Sequence, residues 1–433
     1  MSKNGILNIQ IKSWSVNYII IGVIIVVVMD LFFGSEYSYG QLPDTNKIYI
    51  GSGLDPDSHN NDTTKIIEDA ALDIAQDRGL FIVTTDRQMQ LRILGSVRYL
   101  IVYDDNDLPS KNSLISYQIE VGDENQRIPN YYNGLQQSRL GFEVTRLTEK
   151  GNVFVRLETD FAGITGYRIR HAYGQYKQLL FGQTWSLFSQ ISTLPATVGT
   201  GGPAGSISVR TPQIRFTPGN AFPNSILSLG LEYFKPDIFI PDTLGAKSFQ
   251  AIPDITSRII KPMKWGSIQL SAILPILSGL SPEGKYVFRP GWGVSFSTVI
   301  DSWAGGKWYF HAAGGQAIAR FFNDLSGQGL DVMYNPQSQT SYLPITFGTY
   351  LTYEHHWTDK GFSNITYGLL IFQNEDFSPN DTYNQGNNFR INTFWSIVEG
   401  SRLGFEYIHA FRKNKDEVKG TTNRINLLFY YDF

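Results

Sequence analysis

Asn423-Arg424-Ile425-Asn426-Leu427-Leu428-Phe429-Tyr430-Tyr431-Asp432-Phe433 is the last stretch of the sequence. Read with period two, Ile425, Leu427, Phe429, Tyr431 and Phe433 point one way. Arg424, Asn426, Leu428, Tyr430 and Asp432 point the other. That alternation is a strand with one apolar face and one mostly polar face. A strand of about ten residues with an aromatic end fits a membrane barrel, whose outer face meets lipid and whose aromatics sit at the interfaces.

The composition agrees with that reading. The 433 residues suffice for a large barrel or for two or three soluble domains. A mean hydropathy of −0.17 excludes a bundle of membrane helices. Aromatic residues at 14% and 41 glycines suit aromatic girdles and crowded strands. There is no cysteine, so disulfide, thiol and cysteine-metal chemistry are absent. A net charge of −3 argues against a nucleic-acid binder. Near the N-terminus, Lys3 and Lys12 precede an apolar run from Tyr18 to Met29, and Ser38 and Gly40 are small. Residues 1–40 read as an export signal cleaved before Gln41. The rival is an anchoring helix, for which the run is short and ends at Asp30.

Residues 41–89 read as a periplasmic N-terminal segment with one short helix, Lys65 to Arg78. Ile67, Ala70, Ala71 and Ile74 share its face, and Gly79 sits at the C-cap. Residues 90–433 read as the barrel. Sixteen strands are expected, among them 90–104, 135–147, 151–160, 168–177, 178–186, 207–217, 388–398, 400–412 and 423–433. Long breaks at 105–134, 187–206, 235–252, 276–289, 318–344, 374–387 and 413–422, with a shorter one at 161–167, alternate with turns such as Thr148–Lys150 and Thr358–Gly361. The fold class is therefore all-β: a transmembrane antiparallel barrel of about 16 strands behind a short helical segment. Soluble sandwiches also alternate, but the absence of a fixed repeat disfavours a propeller.

A barrel confines charge to the face opposite the bulky apolar residues. In 151–160, Val153, Val155 and Leu157 oppose Arg156, Glu158 and Asp160. Arg139 and Glu143 oppose Leu140 and Phe142; Arg168 and Arg170 oppose Ile169 and Tyr173. Arg92, Arg98, Arg258, Arg390 and Arg402 oppose apolar neighbours in the same way. An arginine on the lipid face costs about 2–4 kcal/mol near the midplane, so these side chains belong inside. A dry lumen would not hold so many unpaired charges, so a wet one is expected. Excess arginine favours anions, because guanidinium pairs bidentately with carboxylate. The competing reading pairs the charges with Glu143, Glu158, Asp160, Asp254, Glu354 and Glu406 across the lumen.

The middle of the chain is more specific. Arg170-His-Ala-Tyr-Gly174, Phe181-Gly-Gln-Thr-Trp-Ser186 and Gly202-Pro-Ala-Gly-Ser-Ile-Ser-Val-Arg-Thr-Pro-Gln-Ile-Arg-Phe-Thr217 resemble the DcaP-like family of outer-membrane porins, as do Ser138–Phe142 and Leu91–Asp104. The terminal strand also resembles the C-terminal signature of bacterial outer-membrane proteins. The resemblance implies a homotrimeric sixteen-stranded barrel in outer-membrane lipid, passive diffusion, and a preference for small anionic solutes, dicarboxylates in particular. It also implies a self-associating N-terminal segment. On physical grounds Pro212 marks a bulge, and a parity slip there turns both Arg210 and Arg215 inward. The uncharged loop Leu187 to Gly205 reads either as a constriction folded into the lumen or as a surface loop.

Other chemistry has little support. His355-His356 are strand neighbours facing opposite sides, so they do not chelate one metal. Gly199–Gly205 lacks the Lys-Ser/Thr of a phosphate loop, Gly51-Ser-Gly53 is too short for dinucleotide binding, and no Gly-x-Ser-x-Gly elbow occurs. No cofactor and no catalytic residue is assigned. The alternatives to an anion-preferring porin are a non-selective porin and a barrel hydrolase for lipid or peptide; a plugged transporter needs more N-terminal residues than 41–89 offer.

Overall fold

The computed structural model describes residues 49–50 and 78–433, apart from 123–126, 164, 220–223, 241–246, 281–285, 336 and 339. The export signal and all but the last residue of the helix expected at 65–78 lie outside the described residues.

Alternating sequence becomes a closed antiparallel barrel of 16 strands. They are β1 (Met89–Asp104), β2 (Asn130–Gly134, resumed at Arg139–Arg146), β3 (Val153–Gly163), β4 (Gly166–Tyr176), β5 (Leu179–Trp185), β6 (Arg210–Phe216), β7 (Ile226–Glu232) and β8 (Asp254–Met263). β9 (Gly266–Leu274), β10 (Trp292–Asp301), β11 (Gly306–Gln316), β12 (Ile345–Thr358), β13 (Gly361–Phe372), β14 (Tyr383–Trp395), β15 (Ser401–Asn414) and β16 (Lys419–Asp432) complete the wall. β16 closes on β1 from Arg424↔Asp104 to Asp432↔Ser96. Phe433 exchanges both backbone hydrogen bonds with Gly95, at 2.9 Å each, and its ring covers that glycine.

Outward positions carry the apolar residues: Leu403, Phe405 and Tyr407 on β15, and Ile425, Leu427, Phe429 and Tyr431 on β16, are exposed or half-exposed. Their partners on the inner face, Glu406, Ile408, Arg424, Asn426 and Leu428, are buried. Each outward side chain left in water would lose the burial free energy that lipid supplies, so the pattern has meaning only in a membrane.

Four local expectations are corrected. The break at 161–167 is a tight turn, with Gly163 paired to Gly166. Strands β15 and β16 run on to Asn414 and Lys419, which shortens the 413–422 loop. β14 spans 383–395 rather than 388–398. A strand not anticipated, Leu80–Val83, pairs with Gln90–Ile93, because β16 stops at the level of Gly95 and leaves the lower edge of β1 bare.

Two register predictions also change. Pro212 makes no bulge: the β5–β6 ladder runs without a shift from Leu179↔Phe216 to Trp185↔Arg210, so Arg215 faces inward with Thr211 and Gln213 while Arg210, at the strand's first position, has the opposite parity. The proline carbonyl still accepts from Tyr233 N at 2.8 Å, so its missing N–H costs the sheet little. The bulge lies instead on β4, where Glu158 pairs with His171 and Thr159 with Ile169, leaving Arg170 as the extra residue. Parity flips there, so Tyr173, expected outside with Ile169, pairs across from Arg156 and shares the inner face with Phe154 and His171.

Candidate functional site

Segment 186–209, between β5 and β6, turns into the lumen. Leu187, Phe188, Ser189, Gln190, Thr193, Ser206 and Ile207 are fully buried. Its polar backbone is satisfied by the far wall: Tyr350 Oη donates to Thr193 O at 3.1 Å, Asn364 and Asn392 both donate to Ala196 O at 3.0 Å, and Gly199 N donates to Glu406 at 3.2 Å. Glycine on both sides permits the approach. A Cβ on Gly368 would lie 2.5 Å from Ala204 O, and one on Gly348 would lie 2.8 Å from the Gly205 backbone. Gly205 itself sits at φ +79°, which other residues rarely adopt. The segment therefore leans on β12–β15, and its tip also packs on β1, where Ala196 and Val198 share an apolar cluster with Leu100 and Val102.

Two further stretches fold inward. From 105–122, Leu108, Leu114 and Ile119 are buried; from 317–331, Ile318, Phe321, Phe322 and Leu325 are. The residues of 317–331 join Phe188, Ile207, Ile273, Leu370 and Phe372 in one apolar cluster inside the barrel, whereas Leu108, Leu114 and Ile119 pack in a separate one with Ile408 and Ala410 of β15. The lumen is thus not wet throughout, as strand parity had suggested. Parity reads walls and is blind to loops that fill them. The signal was present: Phe321, Phe322, Leu325 and Leu330 make a loop too apolar to face water.

The inserted 317–331 stretch is pinned by buried charge. Arg320 donates to Asp331 at 2.8 Å and to Asp254 of β8 at 2.5 Å. Ser116 N donates to Asp324 at 2.7 Å, tying two inserted stretches together. Burial pushes the carboxyls of Asp324 and Asp331 upward, against Arg320 and the Ser116 hydrogen bonds. A carboxyl with a raised native pKa favours the inserted state once protonated. That contribution is complete below the ordinary carboxylate range and is lost as pH rises through the raised values. Single-channel conductance is therefore expected to fall on acidification from about pH 7 to about pH 4, and Asp324→Asn to flatten the profile. A conductance that rises in acid would contradict this assignment.

The sequence-identified arginines are spread unevenly. On β1–β4 they meet carboxylates. Arg92 pairs with Glu143 at 2.9 Å, and Arg170 bonds Glu158 at 2.6 Å and Asp160 at 3.1 Å. Arg168 grips Asp160 through two hydrogen bonds of 2.9 and 2.6 Å, and Arg139 lies 3.9 Å from Glu158. Arg156 likewise bonds Glu158 at 2.6 Å. Arg98 is 3.8 Å from Asp432. On β6, Arg215 donates to Gln213 at 3.0 Å and to Trp185 O at 2.6 Å. Arg210 stacks 3.4 Å above the Trp185 ring and reaches His171 Nε2 at 3.4 Å; His171 Nδ1 is 3.0 Å from Thr184. His171 and Trp185 are neighbours that strand-by-strand reading could not bring together.

The remaining three are dispersed. Arg258 is buried on β8, across from Ser228 and Ser271. Arg390 on β14 lies 3.7 Å from Glu406, and Arg402 on β15 rests near the Phe362 and Tyr430 rings. Asp104 is held by Arg424 through bonds of 2.6 and 2.9 Å. Glu143, Glu158 and Asp160 are then outnumbered on β2–β6 by Arg139, Arg156, Arg168, Arg170 and Arg215, with Arg210 reaching His171 from the end of β6. His355 and His356 separate as argued: His356 bonds Glu354 at 2.9 Å, and His355 approaches Tyr353 Oη at 3.3 Å.

The sequence matches the DcaP outer membrane protein family over residues 59–228 and 284–433. No curated relative matches it. The outer membrane channel DcaP of Acinetobacter baumannii superposes with a TM-score of 0.69 at 20% identity, over 80% of this chain and 97% of that one. The anion-selective porin from Comamonas acidovorans gives 0.57 at 10% identity, over 80% and 100%. Salmonella typhi OmpF gives 0.51 at 9%, over 80% and 98%. At these identities the superpositions speak for the fold, a porin barrel, while the sequence match spans most of the chain. With an apolar outer band, a closed wall and that match, this chain is a bacterial outer-membrane channel protein and belongs to the DcaP outer membrane protein family.

Proposed function

We propose that the chain is a passive diffusion porin that prefers small anionic solutes of the dicarboxylate type, and that it works as a homotrimer. The observation that carries the solute preference is the arginine excess on β2–β6, facing a lumen narrowed by segment 186–209. Arg139, Arg168, Arg170, Arg210 and Arg215 form the anion path in this reading, with Arg92, Arg98, Arg258, Arg390 and Arg402 extending it along the wall. A planar guanidinium takes a carboxylate through two parallel hydrogen bonds and stays charged at every relevant pH. Two carboxylates engage two such groups, which favours dicarboxylates over chloride. The Comamonas acidovorans protein of similar fold is described as anion-selective, which agrees with this reading. The trimer rests on family membership, and residues 1–40 and 41–89 are proposed as export signal and periplasmic segment.

The test is the zero-current potential of a planar bilayer under a potassium chloride gradient. Anion preference makes the dilute compartment negative. A positive dilute compartment would overturn the selectivity, and a protein without conductance would overturn the porin itself. Chemical cross-linking in detergent, stopping at three copies, tests the assembly.

A further inference from the structure

The last inward residues before the short turns form a strip of rings and guanidinium groups. It runs strand by strand from β12 to β1. His356 stacks on Phe362, with centroids 5.2 Å apart and planes at 28°; Phe362 stacks on Phe394 at 5.1 Å and 26°. Arg402 lies 5.6 Å from the Phe362 ring and 6.0 Å from Tyr430. Arg98 covers Tyr430 at 4.9 Å. The ladder pairs confirm adjacency: His356↔Phe362, Phe362↔Phe394, Arg402↔Tyr430 and Tyr430↔Arg98.

The strip lies just below the inserted segment. Ala196 and Val198, from its tip, pack in one apolar cluster with Phe394 and Tyr430. A solute leaving the narrowed section toward the periplasm meets these groups next. Phe394 and Tyr430 are buried, whereas Phe362 and Arg402 are half-buried and His356 is exposed. No hydrogen bond or ion pair among the described residues holds Arg402; it lies by the two rings, with the Asp432 carboxylate, which also faces Arg98, in electrostatic range.

We propose that Arg402, Arg98, Phe362 and Tyr430 form a binding strip for organic anions with a flat apolar body, that is, aromatic carboxylates. This rests on the anion-porin reading and narrows its solute class. The carboxylate takes the fork of Arg402, and the solute's ring extends the stack of His356, Phe362 and Phe394. An aliphatic carboxylate gains the fork alone. The ring contact adds an offset-stacking contribution, which corresponds to about a fivefold tighter complex.

Phthalate and maleate present the same cis arrangement of carboxylates, with and without a ring, and are the probes. With the full-length protein in a planar bilayer, each is added on the periplasmic side and the concentration that halves the chloride current is read. Native protein is expected to respond to phthalate at about fivefold lower concentration than to maleate. Phe362→Leu brings the two concentrations together, and Phe362→Tyr keeps them apart. Arg402→Gln weakens both, and Arg402→Lys, which keeps the charge but not the fork, recovers part of the response. Equal potency of the two probes on native protein overturns the strip, as does a ratio that survives in Phe362→Leu. If the salt-gradient measurement shows cation preference, the anion reading falls first. An anion-selective pore with equal block by both probes removes the strip alone.

Discussion

Glu158→Ala is expected to destabilise the barrel by about 3–5 kcal/mol and to sharpen its preference for anions. Glu158 is 1% exposed and accepts from Arg156 and Arg170 at 2.6 Å each, with Arg139 3.9 Å away. Removing the carboxylate leaves three guanidinium groups close together on β2–β4 with less negative charge between them. The penalty is the uncompensated buried charge rather than a lost bond, which is why it is large. Urea unfolding followed by the mobility shift of folded barrel on electrophoresis measures the first effect, and the zero-current potential measures the second. Glu158→Gln keeps the shape while removing the charge, so it should lose nearly as much stability. An unfolding midpoint equal to that of native protein in both variants would show that water already screens these arginines.

The second large effect is expected from Arg320→Ala. Arg320 is 1% exposed, and both its carboxylate partners, Asp254 and Asp331, are fully buried. Asp331 is also tied to 317–331 itself, accepting from Arg320 N at 3.1 Å, and to Asp237 N at 2.9 Å. Without the guanidinium, two carboxylates share a buried site, at a cost of about 3–5 kcal/mol. The inserted stretch relieves that cost by leaving the lumen. Conductance should rise, and acidification should restore the native value, because protonated carboxyls no longer need the arginine. A conductance that stays at the native level at neutral pH would show that apolar packing of Phe321 and Phe322 is sufficient to hold the stretch.

The wall was readable in the sequence because lipid outside and water or charge inside impose period two on every strand. Leu157 between Glu158 and Arg156 is enough to orient β3. Turn positions such as Gly163 and Gly166 were less readable, since a tight turn and a short loop use the same residues. The interior was the least readable. Phe321 beside Phe322 carries no period, and nothing local tells a chain segment that it will be enclosed by sixteen strands. Arg320 carries no local signal for the same reason: it stands in a loop, and its partners Asp254 and Asp331 come from a strand and from farther along the same loop. The bulge at Arg170 was equally hidden, because one extra residue reverses the face of everything after it without changing composition.

The contact of Gly205 with Gly348, and of Ala204 with Gly368, divides the inner surface by how freely it can evolve. On that side the boundary is main chain against main chain, and any residue larger than glycine displaces a backbone. Substitution that keeps the frame is therefore freest on β3–β6, where one long polar side chain can replace another without moving a backbone. What this chain admits can thus be changed by rewriting a single arc of the wall, with the glycine-lined side left as a mould.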